Sequence, residues 1–151
     1  MIANFFNQTR PINFLLSILV FIIYLVALIN VNSEPLDFFF FVKNIFFLAL
    51  AIMTVFVINF IIRKNALTED NSYAILFYIL LVSYFPNSFV NEGIFISNFI
   101  LLLAFRRIYS LRSSIQTKEK IFDSAFWIGI ATLFYVWSLF YLVLVYAAIF
   151  I

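Results

Sequence analysis

The sequence predicts an all-α fold: a polytopic transmembrane helix bundle of about five to six membrane segments, with an interfacial amphipathic helix near 106–123 and a cytoplasmic N-terminus. Three observations predict it. Of the 151 residues, 66% are apolar and 11% charged, whereas soluble domains carry about 25% charged residues. The apolar residues fall into runs close to the roughly 20 needed to span hydrocarbon. The basic residues collect on one side of the bundle that these runs define. A water-soluble core of this size is excluded by area, because a 150-residue domain buries only about 70% of its unfolded surface. The rest would be a large exposed apolar patch, which soluble monomers avoid.

The first expected span is 12–29. Thr9 can cap it, and Pro11 suits an early helix position where its missing N–H costs nothing. A cleaved signal peptide does not fit, since the apolar run is too long and the residues after it lack a small-x-small cleavage pattern. The second span is 44–62, ending at Arg63 and Lys64, which can snorkel to headgroups. The third is 72–90, with Pro86 as its terminator near the outer end. The fourth, 93–105, is short and ends at Arg106 and Arg107, so it needs snorkelling or a thinned bilayer. The stretch 125–151 is too long for one upright helix and too short for two full spans. A break near Tyr135 to Ser138, giving two short helices, is favoured over one long tilted helix. The apolar run continues to Ile151, so the chain is expected to be the N-terminal part of a longer protein. There is no linker, repeat or low-complexity tract, which implies a single transmembrane helical domain, 1–151, with antiparallel neighbours joined by short connections.

Charge placement sets the orientation. Alternating through four spans puts Arg10, Arg63, Lys64, Arg106, Arg107, Arg112, Lys118 and Lys120 on one side and only Lys43 on the other. That asymmetry places the N-terminus in the cytoplasm. Ile108, Leu111, Ile115 and Phe122 recur at helical spacing between basic and hydroxyl residues, which reads as a helix in the headgroup plane.

Several chemistries are excluded at once. The chain has no cysteine and no histidine, so disulfides, thiolate catalysis, Fe–S clusters and Cys/His zinc sites have no ligands here. No metal site and no cofactor is expected. Nucleotide-binding and nucleophile-elbow motifs are missing, and nucleic acid has no basic face to bind other than the membrane-facing one.

The candidate catalytic residues are Glu34, Asp37 and Glu92, the carboxylates of the outer side. A carboxylate there can act as a general base or hold a divalent cation on a lipid-linked substrate, although solvated loop acids are more common. Arg106, Arg107 and Arg112 can bind a phosphate or lipid headgroup through their forked donors; the ordinary reading is topology determinants and anchors. Asn59, Asn98, Ser83, Ser97 and Thr54 lie inside apolar runs. Such groups usually hydrogen-bond between helices, and otherwise line a path. No ionisable residue sits mid-span, which lowers an ion-coupled transport reading.

Three stretches carry a resemblance: MIANFFNQTRPINF (residues 1–14), NFILLLAFRRIYSLR (98–112) and KIFDSAFWIGIATLFY (120–135). Together they resemble an uncharacterised multi-pass inner-membrane protein family of Bacteroidota. The resemblance implies inner-membrane location and a longer chain. It implies no activity, so no functional residue carries over. The expected function is a non-enzymatic membrane subunit or scaffold of a bacterial envelope complex, with the lipid bilayer and other membrane-protein subunits as partners. Two alternatives stand beside it: an enzyme on a polyprenyl-phosphate substrate, and a transporter or flippase component.

Overall fold

The computed structural model describes residues 15, 18–19, 22, 38–68, 71–84, 91–113 and 115–150, with the backbone alone at 82 and 83. Bounded within those residues are five α-helices and one 3₁₀ helix, with no strand. The first expected span, 12–29, lies outside them except at four positions. The chain divides into two compact units, Met1–Phe85 and Pro86–Ile151.

In the first unit, α1 spans Phe38–Lys64 and α2 spans Tyr73–Tyr84. At 27 residues, α1 is about 40 Å long. Only Ala51, Thr54, Val55 and Ile61 of it are buried. Thr54 keeps its hydroxyl proton inside the helix, donating to the Leu50 carbonyl oxygen at 2.8 Å. The Asn44 amide does the same to Phe40 at 2.8 Å. In apolar surroundings these bonds remove the cost of a bare polar group. The helix stops in a Schellman motif. Leu67 N–H donates to the Ile62 carbonyl at 3.1 Å and Ala66 N–H to that of Arg63 at 3.3 Å. Ala66 takes the left-handed position, φ 47°, that glycine usually fills. α2 packs on α1 and buries Ile75 and Ile79.

In the second unit, α3 (Glu92–Ser110) and α4 (Thr117–Phe134) form an antiparallel hairpin. The buried positions of α3 are Phe95, Ser97, Ile100, Leu101 and Ala104, and those of α4 are Ser124, Ile128 and Ala131. Each set recurs at the three-to-four spacing of one helix face. Tyr135 is extended (φ −149°, ψ 107°) and ends α4. The 3₁₀ helix Val136–Tyr141 and α5 (Leu142–Ile149) then return against α3, with Val145 joining the core of Ile100, Leu101, Ala104, Ile128 and Ala131. The break expected near Tyr135 is therefore present, but the helix before it begins at Thr117 rather than Ala125.

Two expectations are corrected. The amphipathic helix lying flat over 106–123 is not formed. Arg106 to Ser110 complete α3, Leu111 to Gln116 turn, and Thr117 to Asp123 open α4. Hydroxyl side chains that bond the local backbone compete with helix continuation there: Ser110 Oγ donates to the Arg107 carbonyl at 2.7 Å and Ser113 Oγ to that of Ser110 at 3.0 Å. The expected count of membrane segments is also too high for the described residues. Two helices, α1 and α3, are long and apolar enough to cross a membrane. The described α2 has 12 residues, α4 opens with Lys118, Glu119, Lys120 and Asp123, and Val136–Ile149 is shorter than a span. The helix at the fourth expected span is longer than expected. With 19 residues, α3 reaches about 28 Å, close to the hydrocarbon thickness, because Arg106 and Arg107 stay helical.

Candidate functional site

The densest group of charged side chains among the described residues is the tip of the α3–α4 hairpin. Lys120 organises it. Its Nζ donates to the Ser110 carbonyl at 2.8 Å, to the Ser113 carbonyl at 3.0 Å and to Ser113 Oγ at 2.7 Å. One ammonium thus satisfies acceptors at the C-terminus of α3, where helix carbonyls lack partners and the dipole favours a cation. Gln116 completes the reversal in the left-handed region at φ 54°, ψ 42°. A second crosslink joins the helices: Arg107 pairs with Asp123 at 2.8 Å, each about 40% exposed (44% and 36%). At that exposure the pair adds about 1 kcal/mol at most.

The arginines foreseen as phosphate ligands separate here. Arg107 pairs with Asp123, Arg106 has a contact of its own, and all three arginines are exposed around the same tip. Glu92 is exposed in the first turn of α3, where a negative charge suits the helix dipole. Its neighbour Asn91 caps that end, Oδ1 accepting from Ile94 N–H at 3.3 Å. Fourteen residues separate Glu92 from Arg106, about 21 Å along one helix. Carboxylate and arginines therefore do not converge on one group. Glu34 and Asp37 lie outside the described residues, and so does the side chain of Ser83. No cluster of three metal-ligating side chains occurs among the described residues.

Of the polar groups inside apolar runs, Ser97 forms the interhelical bond. Its hydroxyl meets that of Ser138 at 2.6 Å, both side chains 1% exposed. Asn98, its neighbour in sequence, is exposed. Asn59 is half-buried beside an open groove of about 580 Å³ lined by Phe56, Asn59, Phe60, Arg63 and Lys64.

Sequence reasoning missed Lys120 as a cap, Ser138 as a partner and Gly93 as a contact point. A Cβ on Gly93 would stand 2.8 Å from the Phe134 carbonyl oxygen, so the hairpin closes there on bare backbone. The available signal was scarcity: Gly93 is one of two glycines in the chain. No family model, curated protein or solved structure matches this chain.

Proposed function

We propose that this chain is a non-enzymatic, multi-pass integral membrane subunit or scaffold of a bacterial inner-membrane complex, with its N-terminus in the cytoplasm. One observation carries the reading. α1 presents Phe38, Phe39, Ile45, Phe46, Met53 and Phe56 at exposures from 53% to 78%, with four of its 27 residues buried. In water that surface would be a severe liability. Lipid and neighbouring apolar subunits are the surroundings that make it stable.

The hairpin supports the same orientation. Its tip holds Arg106, Arg107, Arg112, Lys118 and Lys120 against Glu119 and Asp123, which suits an anionic cytoplasmic leaflet. Glu92 and the Phe134–Tyr135 break then lie toward the opposite leaflet. In this reading 106–123 is a charged hairpin tip among headgroups, not the flat amphipathic helix that the sequence suggested.

The test is single-cysteine labelling in intact cells and inverted vesicles, which is clean because the chain has no cysteine. A membrane-impermeant maleimide is expected to reach Glu92→Cys from outside and Lys118→Cys only after inversion. Labelling of both from one face would overturn the threading. Native co-purification in mild detergent tests the scaffold role: a stoichiometric partner is expected, and recovery of a bare monomer counts against it.

A further inference from the structure

We propose that the C-terminal end of α1 carries a binding site for a single anionic phospholipid, built by Phe56, Asn59, Phe60, Arg63 and Lys64. The site rests on the reading of α1 as a membrane helix. Those five positions follow the spacing 0, 3, 4, 7 and 8, which places them on one helix face. Along that face the chemistry is graded. Phe56 and Phe60 are exposed rings, Asn59 is a half-buried amide between them, and Arg63 and Lys64 close the end. The same five line one shallow, open groove along the helix surface.

The gradient matches a phospholipid read from tail to head. Acyl chains lie on Phe56 and Phe60. Asn59 stands at the depth of the ester carbonyls, where its amide N–H groups can donate. The Asn59 side-chain amide forms no hydrogen bond among the described residues, and a bare amide beside hydrocarbon is costly. A lipid ester supplies what the amide lacks. Arg63 already has a contact of its own, but its guanidinium carries five N–H donors, enough for a phosphate to share, and Lys64 adds a point charge. The Lys64 ammonium already lies 5.5 Å from the centre of the Phe60 ring, which holds the cation over the groove. A zwitterionic lipid would leave one cation opposite its own positive headgroup, so the site selects net negative charge.

The full-length chain, purified in detergent and stripped of lipid, is titrated with dioleoyl phosphatidylglycerol and with dioleoyl phosphatidylcholine, and adducts are counted by native mass spectrometry. One phosphatidylglycerol is expected to bind in preference to phosphatidylcholine. Arg63→Gln with Lys64→Gln is expected to weaken it roughly tenfold or more, as two lost cation–lipid attractions imply. Arg106→Gln with Arg112→Gln is expected to leave the preference intact. Retention of the preference in the first variant, or equal loss in both, overturns the proposal. Full competition by millimolar inorganic phosphate also overturns it, since the ligand would then be a free anion. If the first variant does not purify folded, Asn59→Leu decides: it keeps both charges and is expected to bind severalfold more weakly, and unchanged binding refutes the amide's role. Release of the wild-type chain from membranes by alkaline carbonate would instead refute the membrane reading, an outcome independent of the lipid titration.

Discussion

The two glycines of this chain should respond to alanine with opposite signs. At Gly93 the added Cβ would meet the Phe134 carbonyl oxygen at 2.8 Å, where ordinary contact begins at 3.4 Å. The obstacle is backbone at the close of α4, so no rotamer change relieves it. Overfilling a packed contact by one methyl group costs about 1–3 kcal/mol. Helix propensity offsets at most about 1 kcal/mol, and less here, because Gly93 is the second residue of α3 and lies in its unpaired first turn. At Gly129 nothing lies within 4 Å of the added atom. That position is in the middle of α4 and exposed, so alanine brings its propensity advantage alone, about 0.5–1 kcal/mol of stabilisation. The two variants should differ by roughly 2 kcal/mol, which for a chain of this size separates their melting temperatures by roughly 4–8 °C. Thermal unfolding of both proteins in one detergent, followed by circular dichroism at 222 nm, reads the difference. Equal shifts, or a Gly93→Ala protein more stable than wild type, would show that α3 does not close on the carbonyl of Phe134.

Three further outcomes follow from the second unit and from α1. Ser97→Ala or Ser138→Ala alone should destabilise by about 1–3 kcal/mol, since each strands a buried hydroxyl. The double variant should cost less than the two added together, and strict additivity in a double-mutant cycle would deny the 2.6 Å bond. Lys120→Met should remove the three donor contacts at the hairpin tip. Amide exchange at 111–116 should then quicken relative to α3 and α4, and unchanged protection would mean that the turn does not depend on the ammonium. Gln116→Gly and Ala66→Gly relieve two left-handed residues. Each should raise stability by about 1 kcal/mol, measured by the same melts; a loss at either site would contradict the backbone angle there.

What the sequence disclosed and what it concealed divide along a physical line. Helical character and the break at Tyr135 depend on local composition, and both were readable. The hairpin tip was not, because a run of basic and hydroxyl residues with apolar ones at helical spacing has two solutions. It can lie flat on a surface, or it can break and bring its own charges together. Periodicity at Ile108, Leu111 and Ile115 favours the first. The second is favoured by partners distant in sequence, Lys120 reaching back ten residues to Ser110 and Arg107 reaching forward to Asp123. Neither contact has a signature in a single chain.

The same logic explains the buried serines. Ser97 was a plausible interhelical donor from its apolar surroundings, as were Asn98 and Asn59. Choosing among them required knowing which face of α3 meets the returning 3₁₀ segment, and that face is fixed only once Tyr135 turns the chain around. Ser97 faces Ser138; Asn98, one residue and about 100° further round the helix, is exposed. Small side chains then explain why the hairpin closes so tightly. Gly93, Ser97, Ala104, Ser124 and Ala131 lie at or near the contact, and small residues let helix backbones approach when the hydrophobic effect gives no preference for protein over lipid. Of the bulky residues Leu133, Val136, Trp137, Phe140 and Tyr146, all are more than 60% exposed. Large residues share the seam too, Phe95, Ile100, Leu101 and Ile128 among them, so the packing joins small residues at the closest approach to ordinary apolar burial, with further bulky residues left facing outward, as the membrane reading proposed above requires.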